Sequence, residues 1–203
     1  MTLQIRLYKL LLITGAILCF GVAGYAVYLP FIGMAGPIHT RLFALPKLFL
    51  YMHIVAGALA LALIPIQFFL IKQYKYWHRK IGKLYSVAVV ISCTGAYYLA
   101  WNAYGGLSST VALSTLATLW WFVTFKAVFH ALNGDIQQHK KWIIRSTALT
   151  ASAITLRLLS PILYSFFDLY TAQQIIYWSC WPINLLLAEI YLWKLNLNIP
   201  YSK

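Results

Sequence analysis

Apolar residues run in six blocks of about twenty, near 7–28, 48–71, 82–101, 110–132, 142–163 and 172–195. A helix rising 1.5 Å per residue needs roughly 20 apolar residues to cross the ~30 Å hydrocarbon core of a bilayer. The blocks therefore predict six transmembrane helices and an all-α, polytopic membrane helix bundle. Polar breaks separate them: Pro30, Gly33, Gly36 and Pro37 punctuate the first connection, and Gly105-Gly106 makes a tight turn before the fourth block. The longest connections, near 29–47 and 72–83, are too short to bury a core of their own, so residues 1–203 read as a single integral membrane domain. Pro65 falls inside the second block, where a kink that frees the Leu61 carbonyl is expected, and Pro182 inside the sixth.

Composition strengthens this reading. Hydrophobic residues make up 62% of the chain and charged residues 9%, and the mean hydropathy is +0.75. A net charge of +13 would suit a nucleic acid, but its placement points elsewhere. Arg6 and Lys9, then Lys72, Lys75, Arg79, Lys80 and Lys83, then Lys140, Lys141 and Arg145, then Lys194 and Lys203, all fall on one side of a six-helix path. Only Arg41 and Lys47 fall on the other. That is the positive-inside pattern, which puts both termini in the cytoplasm, N-in and C-in. The partners of the basic face are then anionic lipid headgroups, at about 1 kcal/mol for each nearby cation, and no nucleic acid. The first block is long for a signal peptide and is expected to remain as helix 1. Cys19, Cys93 and Cys180 are scattered through the blocks without metal or disulfide spacing and read as small core residues.

Ionisable residues inside a span are costly and mark functional positions or packing determinants, which singles out Lys126, Arg157 and Glu189. Lys126 and Glu189 each lie six residues before the end of a block, about 9 Å inside the boundary, so they pair if helices 4 and 6 touch. Arg145, nearer the same surface, competes for Glu189. Arg157 lies about 18 Å beyond Arg145 along helix 5, at the depth of His53. It either faces an outer cavity with His53, Tyr51 or Tyr97 and holds an anion, a carboxylate or a haem propionate, or snorkels to headgroups or hydrogen-bonds to carbonyls of broken helices. His78, His130 and His139 gather at the inner boundary, with Gly82 one turn from His78. Two imidazoles from neighbouring helices can ligate haem iron from opposite faces, and the metal ligands expected on that reading are His78 and His139, with His130 able to replace either. Solvated interfacial histidines, or a zinc site completed by Asp135, are the alternatives. With three carboxylates in the chain, no phosphate loop and no serine paired with a base, hydrolase chemistry is not expected.

As a set, His53-x-x-x-Gly57, His78-Arg79-x-x-Gly82-x-x-Tyr85, Gly105-Gly106, His139-x-x-Trp142-x-x-Arg145-Ser146, Leu156-Arg157 and Trp181-x-x-Asn184 followed by Glu189 resemble a bacterial family of multi-pass membrane proteins known as a domain of unknown function, 2306. The resemblance spans roughly Tyr51 to Glu189. It implies a bacterial inner-membrane location and this architecture, and no reaction. A looser similarity is to haem-binding membrane cytochromes of the b561 and ferric-reductase type. It implies one haem b at the inner side, with His78 and His139 as axial ligands, Arg79 and Arg145 as propionate partners, and electrons arriving from a quinol or a cytoplasmic redox partner. The functional expectation is thus a single-haem membrane oxidoreductase component. The alternatives are a binding or transport protein for a small molecule or anion, and a structural subunit of a membrane complex.

Overall fold

The computed structural model describes residues 3–28 and 37–197, and among them every regular element is an α-helix. Lys203 and the turn residues Pro30, Gly33 and Gly36 lie outside the described residues, as do the side chains of Arg6 and Lys72. The helices are α1 (Leu3–Tyr28), α2 (Pro37–Phe43), α3 (Lys47–Gln73), α4 (Lys75–Trp101), α5 (Gly106–Leu132), α6 (Ile136–Thr150), α7 (Ser152–Tyr164) and α8 (Leu169–Leu197). Six stretches are long and apolar enough to cross a membrane: Lys9–Tyr28, Lys47–Leu70, Lys75–Trp101, Gly106–Leu132, Ile136–Tyr164 and Leu169–Leu195. The chain forms two compact units, Met1–Asn102 and Ala103–Lys203, each with three of these spans.

In the first unit α3 and α4 are joined by one non-helical residue, Tyr74, at φ −133° and ψ 68°. Its N–H closes α3 on the Leu70 carbonyl at 2.9 Å, and its own carbonyl accepts from His78 N at 2.9 Å to open α4. The polar stretch from 75 to 81 is therefore helix rather than loop. Hydropathy reports where a helix leaves the hydrocarbon, whereas backbone hydrogen bonding lets it continue into the headgroup zone. Pro65 sits inside α3 without ending it.

The α3–α4 contact is antiparallel and built on small residues. Gln67 Nε2 donates to the His78 carbonyl at 3.1 Å, Phe49 stacks on Tyr98 at 4.3 Å, and His53 meets Ser92 between them. A β-carbon added at Gly95 would lie 2.5 Å from the Phe49 carbonyl oxygen and 2.8 Å from His53 N, both backbone atoms that cannot swing aside. Such close approach replaces the hydrophobic drive that lipid does not supply. Gly95→Ala is accordingly expected to destabilise the protein by about 1–3 kcal/mol through overpacking. Gly15→Ala, where nothing lies within 4 Å, is expected to leave stability unchanged. Unfolding in mixed detergent micelles compares the two.

In the second unit α5 and α6 are antiparallel, turning at Gly134 with φ 76°. Asp135 caps α6 by accepting from Gln138 N at 3.0 Å. The fifth span is divided at Ala151 into α6 and α7, where one continuous helix is expected from the hydropathy. Threonines just before the break explain the division. Thr147 Oγ1 bonds the Ile144 carbonyl and Thr150 Oγ1 the Ser146 carbonyl, each at 2.9 Å, drawing main-chain oxygens toward side chains.

Asp168 opens α8, its Oδ1 accepting from Tyr170 N at 3.0 Å and Thr171 N at 3.1 Å. The Thr171 side chain and these amides hold its carboxyl below the usual carboxylate value. A depressed folded value means that the cap is complete above the ordinary carboxylate range and is lost as pH falls through the lowered value. Asp168→Asn, which caps without ionising, is expected to remove this acid-side loss from the thermal unfolding profile.

Candidate functional site

Hydroxyl and amide groups are distributed unevenly between the units. Among the described residues the buried polar side chains are Ser92 in the first unit and Ser109, Thr110, Thr124, Ser146, Thr150, Ser152 and Gln173 in the second. Polar groups within a span are retained at a cost and face bundle interiors or ligand paths, which makes the second unit the place to look.

Its polar core has two parts. Between α5 and α6, Trp120 Nε1 donates to Thr150 Oγ1 at 2.9 Å and Thr124 Oγ1 meets Ser146 Oγ at 2.6 Å. Along α8, Gln173, Tyr177, Trp181 and Asn184 recur at i, i+4, i+8 and i+11 and so share one face. Gln173 Nε2 donates to the Tyr164 hydroxyl of α7. Asn184 accepts from Thr155 Oγ1 at 2.8 Å and donates to the Ala148 carbonyl at 3.1 Å, bridging the two halves of the broken span. Three residues before Ala148 on α6, Arg145 Nε and Nη2 grip Glu189 at 2.5 and 2.9 Å. Gln173 and Glu189 are sixteen residues apart, so polar residues accompany α8 for about 24 Å, most of the thickness of a bilayer core.

The bonds Thr155–Asn184 and Tyr164–Gln173 define the antiparallel register of α7 on α8, and that register sets Arg157 level with Trp181. The Trp181 indole N–H is buried with no hydrogen-bond acceptor, and the Ser109, Ser152 and Gln173 side-chain oxygens are also buried without partners. Arg157 Nη1 donates to the Ala153 carbonyl at 2.9 Å.

The residues singled out by sequence fall as follows. Glu189 is held by Arg145 of α6, the competitor of Lys126, although α5 as well as α6 packs against α8. Lys126 instead rests over the Phe122 ring at 5.9 Å. His139 Nδ1 lies 2.8 Å from the Ala127 carbonyl, and His130 Nδ1 lies 3.4 Å from Asp135 Oδ2. His53 belongs to the first unit and Arg157 to the second. His53 Nδ1 lies 3.3 Å from the Ser92 carbonyl and 3.1 Å from Ser92 Oγ, and the Ser92 hydroxyl donates to the His53 carbonyl at 3.1 Å. His78 is likewise in the first unit, half-buried in the first turn of α4 with Arg79 exposed beside it, whereas His130 and His139 belong to the second. Among the described residues no group of three or more His, Cys, Asp or Glu is arranged to hold a metal ion.

Sequence reasoning missed the Thr124–Ser146 and Trp120–Thr150 bonds. Their signal was present in the i, i+4 spacing of Trp120 with Thr124 and of Ser146 with Thr150.

A family model described as predicted membrane protein (DUF2306) matches residues 50–192, more than half of the chain. No curated protein and no solved structure matches it.

Proposed function

The chain belongs to the DUF2306 family of predicted membrane proteins, and on that premise we propose that its second unit binds a small anion within the bilayer and passes it along the α8 face. The observation that carries this reading is the Trp181 indole N–H, buried without an acceptor and level with the permanent cation of Arg157. An N–H donor and a guanidinium at one depth suit an oxygen-bearing or halide anion, and low dielectric strengthens both contacts. The Tyr177 hydroxyl and the second amide N–H of Gln173 and of Asn184 supply neutral donors above and below that level.

The test is tryptophan fluorescence of the purified protein titrated with chloride, acetate and inorganic phosphate, followed by flux of the binding anion in proteoliposomes. Arg157→Gln and Trp181→Phe are each expected to weaken binding and flux at least tenfold, a loss of about 1.4 kcal/mol or more. Unchanged affinity and flux in both variants would overturn the reading.

A second reading, haem-linked electron transfer, draws on His139. A carbonyl accepts and never donates, so the proton of the ring is on Nδ1 facing Ala127, and Nε2 keeps its lone pair in the neutral ring. Metal-ligating histidines are oriented in this way. A reduced-minus-oxidised visible spectrum of protein from haem-replete cells decides it. Bands of a six-coordinate b-type haem that disappear in His139→Ala support ligation, and a preparation that stays colourless after haem addition removes it.

A further inference from the structure

Lys126 is the starting point. It lies within the fourth span, six residues before Leu132, the last residue of α5, so its Cα is about 9 Å inside the end of that helix. Its ammonium rests over the Phe122 ring, and no carboxylate pairs with it among the described residues. The carboxylates of the same unit at that end are otherwise engaged: Glu189 holds Arg145 through both oxygens, and Asp135 caps α6 and meets His130. Phe122 meets Trp142 edge-on at 6.1 Å, and the Arg145 guanidinium lies over the Trp142 ring at 4.8 Å. Lys126 and Arg145 are thus joined through two aromatic rings, with one carboxylate between two cations. The excess charge is positive and sits where a hydrated counter-ion is least favoured.

Beside this charge runs an apolar rail. Trp121, Phe125 and Phe129 follow one another at i, i+4 and i+8, ring on ring, at centroid distances of 5.8 and 6.4 Å. Each stays about half exposed, at 46, 53 and 48%. Over eight residues the rail extends about 12 Å along α5. An inorganic anion would satisfy the charge and leave the rail bare, whereas a lipid with an anionic head satisfies both.

We propose that the α5 face bearing Lys126 is a specific site for an anionic phospholipid, its phosphate on the Lys126 ammonium beside Trp142 and one acyl chain along Trp121, Phe125 and Phe129. The site is independent of the Arg157–Trp181 reading, since it lies on the outward face of α5 and uses none of those residues.

The test is thermal unfolding of the intact protein in neutral detergent, titrated separately with phosphatidylglycerol, phosphatidylcholine and inorganic phosphate, with bound lipid counted by native mass spectrometry. Phosphatidylglycerol is expected to raise the melting temperature saturably with one tightly retained lipid per chain, and the other two to do neither. Lys126→Gln is expected to weaken the phosphatidylglycerol response at least tenfold, Lys126→Arg to retain it, and Phe125→Ala to weaken it with the charge intact. An equal response to inorganic phosphate would assign the charge to a water-soluble anion and overturn the lipid. So would a Lys126→Gln protein that folds and responds to phosphatidylglycerol as the wild type does. Should Lys126→Gln fail to fold, Phe125→Ala alone decides: an unaltered response overturns the site.

Discussion

Glu189→Leu is expected to destabilise the second unit by about 2 kcal/mol and to broaden its unfolding transition. The substitution leaves the Arg145 guanidinium facing a hydrocarbon side chain, after it had been held at both Nε and Nη2. Breaking one half of a buried pair costs about 3–5 kcal/mol. The lower figure applies because the Glu189 side chain is 49% exposed and the Arg145 side chain 23%, so headgroups and water recover part of the charge. Removing both partners in Arg145→Leu/Glu189→Leu is expected to restore most of the loss, since no uncompensated charge remains. Arg145→Lys is expected to behave as a partial loss. An ammonium makes a point contact where the guanidinium makes two parallel bonds, and it stacks less well on Trp142. Unfolding of the wild type, Arg145→Leu, Glu189→Leu and the double variant in mixed micelles gives the coupling energy directly, and a double variant no better than Glu189→Leu would show that the pair is not the source of the effect.

Asn184→Leu is expected to cost about 1–3 kcal/mol and to abolish anion flux. Asn184 makes two bonds to two different helices, accepting from Thr155 on α7 and donating to Ala148 near the end of α6. Each interhelical hydrogen bond in a membrane is worth about 0.6 kcal/mol on average and up to about 1.7. Leucine removes both, and it leaves the Ala148 carbonyl short of a donor three residues before the break at Ala151. The two halves of the broken span then lose the side chain that ties them to α8. Thr155→Val removes only the first bond and is expected to cost about half as much. A flux measurement beside the stability measurement separates the roles. A variant that is destabilised yet transports normally would confine Asn184 to packing.

The spans were legible because hydropathy is a local quantity. A run such as 110–132 is apolar whatever it packs against, and a bilayer accepts it only as a helix with its backbone bonds closed internally. The ends of helices were less legible. Lys75, Tyr76 and Trp77 read as loop because they are polar or interfacial, yet the backbone turns at Tyr74 alone and α4 begins at Lys75. The division of the fifth span was missed for the opposite reason. Nothing between 142 and 163 is a strong breaker before Pro161, and the break depends on hydroxyl groups that compete for main-chain carbonyls and on an asparagine from another helix.

Candidate residues divide in the same way. That Arg145, Lys126, Arg157 and Glu189 cost energy inside a membrane is a property of each residue alone, and it was readable from position. Which of them pair was not. Lys126 and Glu189 have equal depth in sequence, but depth is one coordinate and helix rotation another. Both α5 and α6 pack on α8, yet it is Arg145 of α6 that meets Glu189, while Lys126 lies over Phe122 of its own helix.

From the chain alone came the class, the number and position of the spans, and the identity of the costly side chains, because these depend on transfer of each segment between water and lipid. Only the tertiary structure decided the grouping into two units, the break at Ala151, the Arg145–Glu189 pair and the polar face of α8 level with Arg157. Within lipid every apolar helix face is nearly equivalent as solvent is concerned. The choice among faces therefore falls to close packing at positions such as Gly95 and to a few interhelical bonds such as Arg145–Glu189, whose partners lie 44 residues apart and whose pairing no local pattern specifies.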